Sequence, residues 1–268
     1  MDANLKARIA TAAVGIPLLV WLIVWGPPWL FATFFFILTA GALYEYFAMT
    51  FPEAWPKRLA GNAFGVALAL AVILSGPSAA IEYFGAALVL LFSASLIFRQ
   101  KYTAQAGPLL RILFGGSYLG YLTPFVVLLL RRPDGRAWMG WLLFVIMAGD
   151  SAAYFIGRRF GKRKLAPEIS PGKTIEGTLG YVAGSVAGGC LGASFLVTEL
   201  GAIEVVALSG MLSILGQIGD LFESLIKRVF AVKDSGTLLP GHGGLLDRLD
   251  SLIFPAVFAT TYLKVFHP

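Results

Sequence analysis

The sequence predicts an all-α polytopic integral membrane protein with about nine transmembrane helices. Of its 268 residues, 57% are hydrophobic and only 13% are charged, and the mean hydropathy is +0.78. In soluble domains roughly a quarter of the residues are charged. The apolar runs are long and continuous and do not alternate with polar residues, which favours spanning helices over the strands of a barrel. These observations exclude an ordinary soluble domain.

Nine spans account for the apolar runs in chain order. Their approximate bounds are 9–25, 29–49, 60–76, 80–98, 109–130, 137–157, 175–197, 202–226 and 246–266. The first run follows Lys6 and Arg8, as in a signal peptide, but the Gly26-Pro27-Pro28-Trp29 segment after it does not have the character of a cleavage site. We therefore expect the first span to remain in the protein.

The basic residues predict the orientation. With the N-terminus in the cytosol, most of the 21 Lys and Arg residues fall in cytosolic loops, as the positive-inside rule requires. The net charge of +6 is therefore explained by topology, and no nucleic acid partner is expected. Cys190 is the single cysteine, so no intramolecular disulfide can form.

This orientation brings acidic side chains to one membrane face. Six carboxylates lie at cytosolic ends of spans: Glu45, Asp150, Asp220, Glu223, Asp247 and Asp250. Ionisable groups inside spans are costly unless they are paired or hydrated, and they usually mark a functional site. We expect a site on the cytosolic side of the C-terminal helices.

Two carboxylate pairs predict a metal site within this group. Asp220 and Glu223 are i, i+3 neighbours on one helix face, and Asp247 and Asp250 repeat the spacing. Hard cations such as Mg²⁺ prefer such oxygen ligands, whereas the sequence offers no Cys and His cluster for zinc. Basic residues surround the acids and could either neutralise them or bind phosphates; they are Lys227, Arg228, Lys233 and Arg248.

Two further segments have two interpretations each. The loop that runs from 158 to 177 is dense in basic residues and ends in Ser170, Lys173 and Thr174 near a predicted helix start. It could bind an anion there or serve as a topogenic patch on the lipid surface. Span seven carries a glycine every four residues, which favours close helix packing or a dimer contact; these glycines are Gly180, Gly184, Gly188 and Gly192.

The polar positions in the C-terminal part resemble a known family. The pattern is Ser224-x-x-Lys227-Arg228-x4-Lys233-Asp234-x-Gly236-x-x-Leu239-Pro240-x-His242-Gly243-Gly244-x-x-Asp247-Arg248-x-Asp250. It is similar to the signature of the phosphatidate cytidylyltransferases, also called CDP-diacylglycerol synthases. Two upstream segments resemble further motifs of that family: Ser170-Pro171-x-Lys173-Thr174-x-Glu176-Gly177 and Asp150-x-x-Ala153-Tyr154-x-x-Gly157. The resemblance is strong over 145–255 and weak in the first five spans.

The resemblance implies a reaction of CTP with phosphatidic acid that gives CDP-diacylglycerol and pyrophosphate. It implies a scaffold of N-terminal helices over 1–107 and a catalytic region over 108–268 with cytosolic loops 158–174 and 227–245. It also implies Mg²⁺ as cofactor, with K⁺ as the candidate for a second cation. CTP, phosphatidic acid and membrane lipids are the expected partners, and a homodimer in the bacterial inner membrane, with its active site facing the cytoplasm, is expected.

The resemblance and the spacing together assign roles to individual residues. The expected catalytic residues are Asp220, Asp247, Asp250 and Lys227, and the expected metal ligands are Asp220, Asp247, Asp250 and Glu223. The expected substrate-binding residues are Lys173, Ser170, Thr174, Ser224, Arg228, Lys233, His242, Arg248, Glu176 and Asp150.

Two other function classes are compatible with intramembrane acids. A secondary transporter would bind Na⁺ or H⁺ near the midplane between inverted repeats, but the acids lie toward one face and no internal repeat is visible. A CTP-dependent lipid kinase would use similar ligands. It would release CDP, whereas a cytidylyltransferase would release pyrophosphate.

Overall fold

The computed structural model describes residues 3–97, 102–238 and 243–267. In chain order the elements are α1 (Ala3–Val24), α2 (Pro28–Thr50), α3 (Trp55–Ile97), α4 (Tyr102–Gly115), a π-helical segment (Gly116–Tyr121), α5 (Phe125–Leu130), α6 (Gly135–Phe160), β1 (Lys164–Ala166), β2 (Ser170–Thr174), α7 (Ile175–Leu196), α8 (Ala202–Val229) and α9 (Leu246–Phe266). The fold class is therefore that of an α-helical polytopic membrane protein, as predicted.

Within the described residues, seven helical segments are long and apolar enough to cross a membrane. They are Pro28–Thr50, Trp55–Gly76, Gly107–Leu130, Gly135–Phe160, Ile175–Leu196, Ala202–Val229 and Leu246–Phe266. Seven of the nine predicted spans coincide with these segments. The other two fall in α1, of which Ala13–Val24 is a shorter apolar stretch, and in the second half of α3. The count of nine and the orientation stay predictions.

A kink in α3 lies where the sequence predicts a break between two spans. Gly76 has φ = 76° and ψ = −179° and interrupts the helical backbone of Trp55–Ile97. This region of conformational space is accessible to glycine and strongly disfavoured for residues with a Cβ. The glycine therefore ends the span Trp55–Gly76.

One segment departs from the predicted all-α fold class. Within the predicted loop 158–174, β1 and β2 pair as an antiparallel hairpin in which Lys164 lies opposite Thr174 and Ala166 opposite Ser170. The Lys164 Nζ also donates to the Pro171 carbonyl oxygen at 2.7 Å. Pro171 and its neighbour glycine are poor strand formers, so the sequence carries no strand signal here. The hairpin brings β2 directly to the start of α7.

The glycine face of α7 packs against α6 of the same chain. A Cβ at Gly184 would clash with the Cβ of Ala152, and a Cβ at Gly188 would clash with the Cβ of Ala148. The buried Trp141 Nε1 of α6 donates to the Gly189 carbonyl oxygen at 2.8 Å. The interpretation of this face as close helix packing is therefore confirmed. A homodimer stays a prediction that this face does not support.

The chain forms two compact units. The first comprises Met1–Leu128 and Asp234–Asp247, and the second comprises Leu129–Lys233 and Arg248–Pro268. In the first unit α2 packs on α3, where Gly61 and Gly65 make room for the buried rings and side chains of Phe47 and Leu43. In the second unit α7 packs between α6 and α8.

Candidate functional site

The second unit contains a cavity of about 480 Å³ formed by α6, β2, α7 and α8. It is large enough for a small organic or phosphate-bearing ligand group. Its walls combine carboxylates, basic side chains, hydroxyls and glycines. The lining residues are Asp150, Ala153, Tyr154, Gly157, Arg158, Gly172, Lys173, Thr174, Gly177, Thr178, Tyr181, Gln217 and Asp220.

Three carboxylates and one lysine interact in and beside this cavity. The Lys173 Nζ of β2 lies 2.7 Å from Asp220 Oδ2 of α8. Asp150 of α6 and Asp250 of α9 both interact electrostatically with Asp220 and with Lys173, and Asp250 also interacts with Lys227 of α8. Four elements that are distant in sequence thus bring together predicted site residues. The resulting cluster has more negative than positive charge, which suits a bound cation.

The cavity wall at the N-terminus of α7 suits an anion, in contrast to the carboxylate cluster. Thr174 caps this helix, because its Oγ1 accepts a hydrogen bond from the Gly177 N–H at 3.1 Å. Thr174, Gly177 and Thr178 all line the cavity. The Ile175 N–H at this terminus donates to the Arg163 carbonyl oxygen at 2.9 Å, so this group and the Gly177 N–H are already hydrogen-bonded. The helix dipole is what favours an anion here. With Lys173 alongside, this wall is suited to phosphate oxygens.

Several predicted binding residues hold the hairpin in place. Glu176 accepts hydrogen bonds from the Lys162 N–H at 3.0 Å and the Arg163 N–H at 3.2 Å. Arg228 donates through Nε to the Ile169 carbonyl oxygen at 3.1 Å. These contacts fix the segment that carries Lys173, so Glu176 and Arg228 act on the cavity through the backbone. Ser170 lies in β2 and is half-buried.

The remaining predicted residues of the second unit lie on α8, shortly after α8 and in the first turn of α9. Glu223 is 1% exposed and its Oε2 forms an ion pair with Lys227 Nζ at 2.7 Å, while Ser224 beside it is buried. Lys233 and Arg248 are exposed. Within the described residues, none of these five contributes to the cavity wall.

A second carboxylate group lies in the first unit. Asp247 Oδ2 accepts hydrogen bonds from the Ser235 N–H at 3.2 Å, the Ser235 hydroxyl at 3.1 Å and the Gly244 N–H at 2.9 Å. Glu45 Oε2 accepts from the same hydroxyl at 3.1 Å and from the Leu246 N–H at 3.1 Å. Asp247 therefore organises the turn before α9. The predicted His242 lies outside the described residues.

The donor chemistry of the second unit fits Mg²⁺, although the described residues do not form a complete coordination site. Nowhere in the described ranges do three Asp, Glu, His or Cys side chains group closely enough to hold a metal ion. Mg²⁺ is commonly held by one or two carboxylates together with water and substrate phosphates. Asp220 together with Asp150 or Asp250 would supply these two carboxylates.

Sequence reasoning gave no role to several polar residues at these sites. Gln217 precedes Asp220 by three positions, so helical spacing could have placed it on the same face. Tyr181 had no such signal, because it lies within an apolar helix. Glu45 was grouped with the other carboxylates but given no role of its own, and its contact with Ser235 joins positions that are far apart in sequence.

Comparison with known proteins agrees with this geometry. The family model described as "Cytidylyltransferase family" matches residues 6–266. A phosphatidate cytidylyltransferase of Brucella suis is 36% identical over 268 residues, covering 98% of this chain and 95% of that protein. One from Bacillus subtilis is 46% identical over 135 residues, covering 49% of each chain. One from Haemophilus influenzae is 39% identical over 188 residues, covering 65% of this chain and 62% of that protein. The chain therefore belongs to the phosphatidate cytidylyltransferase family.

Proposed function

We propose that the protein transfers the cytidylyl group of CTP to phosphatidic acid and releases pyrophosphate. The observation that carries this proposal is the cavity in which Asp150 and Asp220 face Lys173 and the N-terminus of α7. A combination of carboxylates, a cationic side chain and the positive end of a helix dipole suits two anionic phosphate substrates and a divalent cation. The relatives named above are the further support for these substrates.

In the proposed reaction a phosphate oxygen of the lipid attacks the α-phosphorus of CTP. A new phosphorus–oxygen bond forms, the bond between the α-phosphorus and the bridging oxygen to the β-phosphate breaks, and pyrophosphate leaves with that bonding pair. The lipid phosphomonoester is already largely ionised at pH 7, because its second pKa is about 6. No residue is therefore needed to remove a proton from the nucleophile.

The chain's own residues would position the phosphates. Lys173 would exchange its ion pair with Asp220 for a contact to a phosphate oxygen, which a flexible lysine can do without moving the backbone. The dipole of α7 would stabilise a phosphate group that lies near the N-terminus of this helix. Asp220 and Asp250 would hold Mg²⁺. When bound, Mg²⁺ neutralises the charge that develops on the phosphate oxygens.

The proposal includes a membrane location with the cavity open to the cytoplasm. Arg158 and Arg159 end α6 at the cavity, and Lys162, Arg163 and Lys164 follow at once. Such a concentration of exposed basic residues is typical of the cytoplasmic end of a span. A lipid substrate would reach the cavity from the bilayer and CTP from the cytoplasm. The bacterial sources of the relatives support an inner-membrane location.

The decisive experiment measures pyrophosphate release by the purified protein in detergent. CTP, phosphatidic acid and Mg²⁺ are each omitted in turn, and EDTA is added in a parallel series. We expect release only when all three are present. Asp220→Asn should abolish it, whereas Asp134→Asn, an exposed residue at the opposite end of α6, should retain it.

Other products would contradict the proposal in identifiable ways. Release of CDP with no pyrophosphate would indicate a CTP-dependent lipid kinase. No consumption of CTP by a well-folded sample would reject both enzymes and would direct the next assays to ion transport.

A further inference from the structure

Tyr181 is a buried polar residue in the wall of the cavity that the reaction described above does not use. It lies on α7, and its side chain lines the cavity together with Asp150 and Asp220. The residue is only 5% exposed, and no described residue forms a hydrogen bond with its hydroxyl. A buried hydroxyl without a partner is costly, so native structures usually supply one from protein, water or ligand.

The Tyr181 ring occupies space that glycines of two neighbouring helices leave open. A Cβ at Gly149 of α6 would lie 2.8 Å from the ring carbon Cε1. A Cβ at Gly216 of α8 would lie 3.0 Å from the hydroxyl oxygen. Both glycines therefore leave the space that the ring and its hydroxyl occupy. The ring and its hydroxyl thus lie close to the backbones of α6 and α8.

The charges around the hydroxyl suit a role as hydrogen-bond donor. Asp150, Asp220 and Asp250 all interact electrostatically with Tyr181. A tyrosine hydroxyl ordinarily has a pKa of about 10, so it carries its proton at neutral pH and can donate a hydrogen bond. A ligand with an oxygen acceptor that enters between the carboxylates and Lys173 would supply the missing partner.

We propose that Tyr181 is a substrate-binding residue whose hydroxyl donates a hydrogen bond to a phosphate oxygen in this cavity. The inference rests on the proposed function, because that function supplies the two phosphate-bearing substrates. The phosphate belongs either to CTP or to phosphatidic acid, and kinetics with each substrate varied in turn distinguishes the two.

The test compares Tyr181→Phe with the wild-type protein by pyrophosphate release in detergent. The substitution removes one hydroxyl and keeps the ring between the two glycines. A hydrogen bond from a neutral donor to a charged phosphate corresponds to about a tenfold change in binding. We expect the KM for one substrate to rise about tenfold and the KM for the other to change less than twofold.

Tyr262→Phe is the matched control. Its hydroxyl donates to Glu204 Oε1, and it lies twelve residues beyond Asp250 on α9, about 18 Å along the helix axis. We expect this control to keep both KM values. If Tyr181→Phe does not fold, Gly216→Ala provides the second variant, because it keeps the ring and places a methyl group 3.0 Å from the hydroxyl oxygen and 3.3 Å from the Ser251 carbonyl oxygen. It should raise the same KM.

Two other results would contradict the inference or the proposed function. KM values for both substrates within twofold of wild type, in whichever variant folds, would mean that water satisfies the hydroxyl and would overturn the inference alone. A wild-type protein that releases no pyrophosphate would overturn the proposed function, and the assignment of Tyr181 to its substrates would fall with it.

Discussion

Replacing Lys173 by Met should affect substrate binding much more than stability. The Lys173 side chain is 25% exposed and its partner Asp220 is 37% exposed, so solvent reaches their ion pair although Lys173 Nζ itself is buried. Exposed pairs contribute about 0.2–1 kcal/mol. We therefore expect a loss of at most about 1 kcal/mol of unfolding free energy, or about 2–4 °C in Tm for a chain of this size.

The effect on binding should be larger because the lysine would contact a phosphate oxygen directly. A hydrogen bond to a charged group contributes about 1.5–3 kcal/mol, which corresponds to about a 10- to 100-fold rise in KM. The assay combines thermal unfolding in detergent with pyrophosphate release at varied CTP and varied phosphatidic acid. Lys162→Met, at an exposed position before the hairpin, is the matched control and should change neither quantity.

A drop in Tm with unchanged KM values for both substrates would refute this reasoning. Lys173 would then be only the ion-pair partner of Asp220. A similar rise in KM in the Lys162→Met control would also contradict it, since the effect would then reflect the general basic charge of the segment.

Two further substitutions test the packing around the sites. Gly188→Ala should destabilise the protein by about 1–3 kcal/mol because the new methyl group would clash with the Cβ of Ala148. The control is Gly210→Ala on α8, which has no atom within 4 Å of its Cβ position and should not lower Tm. Equal Tm values for the two variants would be inconsistent with the close packing of α6 on α7. Glu45→Ala removes the acceptor of two hydrogen bonds, so limited proteolysis should cut the segment 234–247 faster than in wild type or in the exposed Glu53→Ala control. An unchanged cleavage rate would show that the turn does not depend on Glu45.

The sequence was sufficient for the spans and for several members of the site. Hydropathy over about 20 residues is a local property, so seven of the nine predicted spans coincide with apolar helices of the described residues. Asp150, Lys173 and Asp220 were identified because charged residues are rare in such a chain and their motif spacing is specific. The break at Gly76 was also visible, since it separates two apolar runs.

The partners of these residues depended on tertiary structure. The glycine face of α7 is equally compatible with an internal helix and a second chain until α6 is found opposite to it. The Tyr181 ring fits in the cavity wall because α6 and α8 carry glycines beside it. Glu45 accepts a hydrogen bond from Ser235, which is far away in the sequence. A sequence records which side chains a helix carries. Which of them meet is decided by the packing of helices that are distant in the chain, because close approach depends on the shapes of both partners.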